Sequence, residues 1–431
     1  MAVSRAAKAI SQTFASLKFF NYRVWFCTAL VSNVGAWIQR VGQDWLVLKE
    51  LTNNSGLAAG IVTALQFAPV LVLSAWAGLL ADRLPRRALL IATQAGQGVL
   101  ALGLGGLILS GHAQLWHVYG FAFLLGCVTA FDAPVRQTFV AEMVPQSSLS
   151  NAIGLNSASF NSSRLIGPAV AGYLIQVFGT GWAFIINGVT FAATIIGLVY
   201  MKKAELHTIE KATKEKGQIR QAIVYIRDRP EIWLILVIIA VVSCLGFNSQ
   251  LTIGMMATQV FDRQAGQFGL LSTIFGIGAL IGALLAARRT HPRLRLIIGA
   301  TIGFGLSSVL SAFMPTYLTF GLSGILVGLF TLTMMTAANA TIQITTEPSM
   351  RGRVVSLYML VFQGPTLLGA PLIGWISEAW GTRLAIAIGG ASALAVAGYA
   401  LIWLRKHWHL TATLKGFPPH LVIRSHEEVM R

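Results

Sequence analysis

Charge is missing from long stretches of this chain. No Asp, Glu, Lys or Arg occurs in 51–81, 88–131, 165–201, 232–261, 264–287, 296–346, 354–377 or 384–404. A helix crosses a bilayer with ~20 apolar residues. Each stretch is therefore long enough for one crossing, and 88–131, 165–201 and 296–346 are long enough for two. Hydrocarbon offers backbone N–H and C=O groups no partner, so such segments must bond internally as helices. Of the 431 residues, 55% are hydrophobic and 11% charged, against about 25% charged in a soluble domain. This disfavours a soluble enzyme, a disordered chain and a disulfide-stapled secreted domain. The net charge of +17 would point to nucleic acid in a soluble protein. A basic binding surface would not be broken by these apolar runs, so no nucleic-acid partner is expected. The surplus Lys and Arg instead suit a bilayer with anionic headgroups.

Cys27, Cys127 and Cys244 all lie in apolar segments without CxxC spacing, which argues against a disulfide framework or a metal site. No phosphate-cradling loop, GxSxG or HExxH is present. The chain is expected to be no enzyme, to hold no cofactor or metal and not to use ATP.

Charges and turn residues cut the chain into spans at 24–48, 57–81, 88–110, 115–133, 149–176 and 180–201, then 232–260, 265–287, 295–314, 317–341, 354–377 and 384–404. Turn chemistry marks Asn53-Asn54-Ser55-Gly56, Ser110-Gly111-His112, Phe178-Gly179-Thr180-Gly181 and Met314-Pro315-Thr316. The expected organisation is a cytoplasmic N-terminal segment (1–23), a first six-helix bundle (24–201), a basic linker (202–230), a second bundle (231–405) and a cytoplasmic tail (406–431). In 1–23, Ile10, Phe14 and Leu17 stand at helical spacing beside Arg5, Lys8 and Lys18. This reads as an amphipathic helix on the membrane surface or as a loose basic tail.

Lys and Arg crowd the loops on one side. They include Arg83, Arg86 and Arg87 after span 2, Arg136 after span 4, eight in the linker, Arg351 and Arg353 after span 10. The opposite loops hold only Lys49, Arg263 and Arg383. The positive-inside rule then puts both termini in the cytoplasm of a multi-pass inner (cytoplasmic) membrane protein. The halves echo each other: Gly78 matches Gly282, and Gly167-Pro168-Ala169-Val170-Ala171-Gly172 resembles Gly369-Ala370-Pro371-Leu372-Ile373-Gly374. Six plus six with weak internal similarity is the architecture of a rocking transporter whose site lies between the halves.

Gly78-Leu79-Leu80-Ala81-Asp82-Arg83-Leu84-Pro85-Arg86-Arg87 resembles the G-x-L-A-D-R-x-G-R-K loop signature of the major facilitator superfamily, with Pro85 where the family has glycine. The resemblance implies a cytoplasmic gate at Gly78, Asp82, Arg83, Arg86 and Arg87, joined by Arg136. A plain solvated loop is the alternative. Gly154, Ser163, Gly167, Pro168 and Gly172 resemble that superfamily's antiporter motif, with small residues at two of its glycines. They seal the pathway against leakage, or simply pack a membrane bundle. Further runs, Gly35–Leu48, Asp132-Ala133-Pro134-Val135-Arg136-Gln137 and Asn151-Ala152-Ile153-Gly154, are similar to the third drug–proton antiporter subfamily, whose members resemble enterobactin exporters and macrolide efflux proteins. This implies all-α twelve-helix export of small amphipathic molecules, of drug or siderophore type, against proton flow. An importer or uncoupled facilitator, or a membrane sensor without flux, remains open. The unit is read as a monomer.

Ionisable groups inside spans are costly and mark function. Arg40 and Asp44 are four apart and can pair on one helix face, which Asn33 and Trp37 extend. They are the expected proton-coupling residues, with Asp132 as the second candidate, or a structural ion pair. A neighbouring arginine favours the charged carboxylate and burial the neutral one, so alternating access can switch the balance. Arg164, with Asn156 and Phe160 on its face, either makes the cavity attractive to anions together with Arg40 or braces two helices. Asp132 and Arg136 belong to the gate or cap a helix. The second half offers Asn248, Gln250, Asn339, Gln343, Tyr358 and Gln363 as cavity groups, or as packing.

Overall fold

The computed structural model describes residues 13–207, 218–287, 294–408, 411–415 and 420–424. Six long helices form the first half: α1 (Phe20–Trp45), α2 (Gly56–Arg83), α3 (Arg86–Leu109), α4 (Leu115–Phe139), α5 (Leu149–Phe178) and α6 (Thr180–Tyr200). A short helix, α7 (Gln218–Arg227), lies in the linker. The second half contains α8 (Pro230–Leu245), α9 (Ser249–Met255), α10 (Ala265–Ala287), α11 (Leu294–Ala312), α12 (Tyr317–Thr345), α13 (Pro348–Gln363), α14 (Thr366–Trp380) and α15 (Thr382–Trp408). An antiparallel pair, β1 (Thr411–Lys415) and β2 (His420–Arg424), follows. The membrane part is all-helical, consistent with twelve crossings.

Ten helical segments among the described residues are long and apolar enough to cross a membrane. The two long helices outside that set are α1 and α5. They carry Arg40, Asp44 and Arg164, and they pack on each other. A helix this polar survives in a bilayer by turning its polar side to protein or water.

Two expected spans are broken. The single helix expected over 232–260 stops at Leu245, where the Gly246 and Phe247 amides both donate to the Val242 carbonyl, and restarts at Ser249. The one expected over 354–377 breaks at Gly364-Pro365 and begins earlier, at Pro348. Its early start has a general cause. Charges mark where a helix leaves hydrocarbon, not where it ends, so α13 continues through Arg351 and Arg353 and α4 through Asp132 and Arg136. The N-terminal segment also differs. Residues 1–12 lie outside the described residues, and Ala15–Lys18 is a 3-10 turn docked on the start of α5. Ser16 N–H donates to Asn151 Oδ1 at 2.9 Å, and Asn151 Nδ2 donates to the Thr13 carbonyl at 2.9 Å. In the linker, α7 buries Ala222 and Ile226 and packs on α8 and α13.

Structural echoes exceed those in the sequence. The first membrane helix of each half ends in a π turn, Leu46–Leu51 and Met256–Val260, followed by a residue at positive φ, Asn54 (59°) and Asp262 (44°). The turns after α5 and α14 each use a glycine at positive φ, Gly179 (84°) and Gly381 (93°), which glycine adopts without strain.

Each half packs within itself through α1–α5, α1–α6, α2–α4 and α3–α6, and through α10–α12, α11–α12, α11–α15 and α8–α15. The halves meet along two seams, α2 on α14 and α5 on α10. Helix ends near the termini and linker form the basic end of the molecule, and the opposite end is the far end. At the far end the apolar core is shared. One cluster joins Leu46, Val47, Leu48 and Ala58 to Leu251, Met255, Ala370 and Ile373, and another joins Ile38, Ala171 and Ile175 to Ile253, Ala265 and Phe268. At the basic end each half keeps its own, around Trp25, Leu90 and Phe139 in the first and Ile235, Ala338 and Val354 in the second.

The seams rely on missing side chains. A Cβ on Gly56 would stand 2.7 Å from the Gly374 carbonyl oxygen, and one on Gly60 would stand 2.8 Å from the Pro371 Cα. Lipid tails are as apolar as leucine, so membrane helices associate through such close approach rather than hydrophobic burial. Over-packing costs about 1–3 kcal/mol, while glycine-to-alanine in an open helix position gains about 0.5–1 kcal/mol. Gly60→Ala should therefore lower the melting temperature of the detergent-solubilised protein, and Gly106→Ala, which meets nothing within 4 Å, should not. The opposite order would show that the seam does not limit stability.

Candidate functional site

The polar stripe of α1 turns toward α5 and the second half. Asn33 Nδ2 donates to Ser159 Oγ of α5 at 3.5 Å. Trp37 packs against Gly167 of α5, where a Cβ would come within 2.5 Å of the Trp37 Cβ. The Arg40 guanidinium carbon stands 5.9 Å from the centre of the Trp37 ring. Asp44 is 7% exposed and is approached by the Gln250 amide of the second half, whose Nε2 has no closed hydrogen bond. One turn on, Leu48 packs on Gly254 of α9. Other polar residues of α1 brace the first half: Gln39 accepts from Asn187 at 2.8 Å and Gln43 from Gln66 at 2.7 Å.

The expected Arg40–Asp44 ion pair is not made. The two interact electrostatically, yet no oxygen–nitrogen contact within 4.0 Å joins them among the described residues. The α1 neighbours hold Asp44 near Gln250 and draw Arg40 over Trp37. Arg164, half-buried on α5, lies within electrostatic range of Arg40. Its backbone carbonyl borders Gly276 of α10, so it stands at a seam. Asn156 is half-buried on the same helix and Phe160 is 55% exposed.

The second-half candidates divide. Gln250 reaches the seam. Asn248 instead turns inward, its Nδ2 donating to the Cys244 carbonyl at 2.9 Å to satisfy the broken end of α8. Tyr358 is buried, stacks on Phe362 and donates to the Met335 carbonyl at 3.3 Å. Each already donates a hydrogen bond within the second half, one to a broken helix end and the other to a carbonyl of α12. Asn339 accepts from Gln343 at 3.0 Å on α12, and Gln363 is half-buried at the end of α13. A small cavity of about 30 Å³ lies beside the α8–α9 break, lined in part by Ser249, Thr252, Phe275, Phe304, Phe320 and Val327. Ser249, Thr252 and Phe275 escaped the sequence reading because nothing signals the break that exposes them.

At the basic end, the side chains of Gly78, Asp82 and Arg83 lie outside the described residues. Arg86 forms an ion pair with Glu142. Arg87 donates to the Leu198 and Val199 carbonyls, at 2.6 and 2.7 Å, where α6 ends and carbonyls lack helical partners. Asp132 is held by three donors: Thr93 Oγ1 at 2.7 Å, Gln94 Nε2 at 2.8 Å and Arg136 Nε at 2.9 Å. Arg136 also lies over Trp25 at 5.5 Å. These contacts all tie first-half helices to one another. Within the antiporter-like motif, Gly167 meets α1, and the Pro168 carbonyl and Gly172 meet α10. Ser163 donates to the Ser159 carbonyl on its own helix. Gly154 faces open space, so close packing does not explain it.

Polar bonds between the halves concentrate at the far end. Lys49 and Asp262 pair at 3.1 Å. Glu378 of α14 accepts from Ser55 Oγ at 2.9 Å and Leu57 N–H at 3.3 Å. A carboxylate thus caps the N-terminus of α2 from the other half, where the helix dipole favours negative charge. Gln259 Nε2 donates to the Asn54 carbonyl at 2.6 Å, while its Oε1 accepts from Ser377 and Thr382. Partners some 120 to 320 positions apart in the chain leave no pattern in sequence.

The model of a family described as transmembrane secretion effectors matches residues 11–421. The staphyloferrin A transporter of Staphylococcus aureus is 24% identical, the alignment covering 87% of this chain and 94% of that protein. The multidrug resistance protein MdtG of Yersinia enterocolitica is 24% identical over 81% of this chain and 83% of its own. Among solved structures, a bacterial homologue of the human lysosomal transporter Spinster, inward-facing and unoccupied, has a TM-score of 0.68 at 15% identity, covering 89% of this chain and 94% of that one. The POT family transporter PepTSo reaches 0.69 at 13% identity, covering 90% and 98%.

The two buried acids of the first half should respond oppositely to neutralisation. Removing one partner of a buried, fully bonded ion pair costs about 3–5 kcal/mol. Asp132→Asn should therefore lower the melting temperature clearly. Asp44→Asn, which breaks no closed bond, should leave it unchanged or raise it. Equal losses would show that Asp44 is also a structural anchor.

Proposed function

Because the chain belongs to the transmembrane secretion effector family of major facilitator transporters, a membrane transporter family and not an enzyme family, we propose that it exports small amphipathic molecules, of siderophore or drug type, in exchange for protons by alternating access. The relatives' names, one a siderophore transporter and the other a multidrug resistance protein, support the substrate type.

The basic end faces the cytoplasm in this reading, following the charge bias of its loops. The far end then faces outward and is shut by the two glycine seams, the shared apolar clusters and the Lys49–Asp262, Glu378–Leu57 and Gln259–Asn54 contacts. Separate cores at the basic end support an inward-facing state. One chain contains both sides of each seam, so a monomer suffices.

One observation carries the coupling: Asp44 is buried where α1 meets α9, without an ion pair among the described residues, with Gln250 of the opposite half beside it. Parting the far seam lifts α9 off Asp44 and gives it outer water, and closing the seam shelters it again. Asp44 is the proton carrier in this scheme, and Asp132, already bonded three times, holds α3 to α4. A proton entering supplies about 2.3 kcal/mol per 100 mV and about 1.4 kcal/mol per pH unit. At 100 mV and one pH unit, one proton per cycle sustains a roughly 500-fold gradient.

Two measurements test this. Asp44→Asn in proteoliposomes should lose export driven by an imposed pH gradient by at least ten-fold, yet still bind substrate. Normal driven export would remove Asp44 from the mechanism. Replacing Lys49 and Asp262 by cysteine and bridging them with a bifunctional maleimide should stop turnover. Unimpaired turnover would show that the far seam need not open.

A further inference from the structure

Arg40 and Arg164 both lie inside long membrane helices, and in the folded chain they stand within electrostatic range of each other. Resting on the transporter reading above, we propose that this pair binds the acidic groups of an anionic substrate.

Neither guanidinium has a hydrogen bond or an ion pair among the described residues. An arginine offers five donors in a fixed fork that suits carboxylate and phosphate oxygens. Elsewhere in the molecule arginines within reach of an acceptor use it: Arg86 on Glu142, Arg136 on Asp132, Arg229 on Glu347, Arg383 on the Ala312 and Met314 carbonyls. Acids are also committed elsewhere. Glu50 accepts from Thr180, Glu378 caps α2, and Asp132 has its three donors. Around the seam this leaves two cations against Asp44, a surplus of positive charge whether or not Asp44 holds a proton.

Spacing narrows the class. Helices α1 and α5 cross where Trp37 meets Gly167. Arg40 lies one turn beyond Trp37 along α1, and Arg164 one turn before Gly167 along α5. At 1.5 Å per residue this separates their backbones by about 9 Å of helix axis. Two forks carried on backbones that far apart can each take one acidic group of the same molecule, the long side chains closing part of the distance. The Trp37 face between them suits a flat or apolar body. The class is an amphipathic compound with at least two carboxylate, catecholate or phosphate groups.

The charges also set a sign. An anion on the pair and a proton on Asp44 attract, so each raises the other's affinity. Exchange of one for the other requires that the doubly loaded protein not turn over, and this separates the anion site from the antiport reading in experiment.

Binding to the purified full-length protein is measured calorimetrically with citrate, 2,3-dihydroxybenzoate and inorganic phosphate as anionic probes and tetraphenylphosphonium as the cationic one. The anions should bind, more tightly at acid pH, and more weakly as salt rises. Citrate should outdo 2,3-dihydroxybenzoate. Arg40→Gln and Arg164→Gln should each cut citrate affinity at least ten-fold, with Arg164→Lys recovering part, while Lys203→Gln, at an exposed site away from the seams, leaves it unchanged. Phosphate alone binding would narrow the class to phosphorylated solutes. Unchanged citrate binding in both glutamine variants, or preference for tetraphenylphosphonium, overturns the proposal. If a variant does not fold, protection of Arg40 and Arg164 from phenylglyoxal by citrate in the wild type decides instead, and no protection overturns it. Anion binding without pH-driven exchange in proteoliposomes sinks the antiport reading alone; pH-driven exchange of tetraphenylphosphonium without anion binding sinks this proposal alone.

Discussion

Backbone-to-backbone contact at two glycine seams is the constraint on which the rest of this structure depends. Gly56 and Gly60 of α2 lie against Gly374 and Ala370 of α14, and Gly172 of α5 lies against Ala265 of α10. No water is available in the bilayer to drive the halves together by burial, so contact must come from close packing and from polar bonds. The small residues allow the first, and their closeness brings the second into range. Lys49 reaches Asp262, Glu378 reaches the start of α2, and Gln250 comes up to Asp44 only because the backbones stand this near. Small residues also make the seam separable, since few interdigitated side chains must be withdrawn when it opens.

Charge is divided by task. At the basic end arginines are spent on acids and on bare helix ends, and these contacts hold each half rigid. At the far end acids of one half meet donors of the other, and these contacts are the ones a rocking motion must break. Between them lie Asp44, Arg40 and Arg164, buried to different degrees and, among the described residues, without a closed hydrogen bond or ion pair. In a bilayer an unsatisfied charge is kept at a cost. On these three groups the proposed proton and anion sites rest.

Much of the fold was legible in the sequence. Charge-free runs placed the helices, turn residues such as Gly111 and Gly179 fell at turns, and the small residues of 167–172 sit against neighbouring helices. The errors have one kind of cause. The breaks at Gly246–Asn248 and Gly364-Pro365 lie in apolar runs that read as continuous, because hydropathy reports the solvent and not the backbone path. Arg40 and Asp44 read as a pair because helix spacing permits one. Tertiary neighbours, Trp37 for one and Gln250 for the other, determined otherwise. Asn248 and Tyr358 read as cavity groups because their chemistry suits a cavity, and in the fold a broken helix end and a core carbonyl use their hydrogen bonds.

The sequence by itself determined the solvent, the helical class, the duplication and the residues with chemistry to offer, since all of these follow from local composition and from the cost of charge in hydrocarbon. Tertiary structure alone decided which charges are satisfied. Asp132 and Asp44 are both acids in apolar helices of the first half, indistinguishable in kind along the chain. One is met by three donors from its neighbours and the other, among the described residues, is only approached by the Gln250 amide, because hydrogen bonding depends on where other helices come to lie, and that information is carried by contacts spanning hundreds of residues.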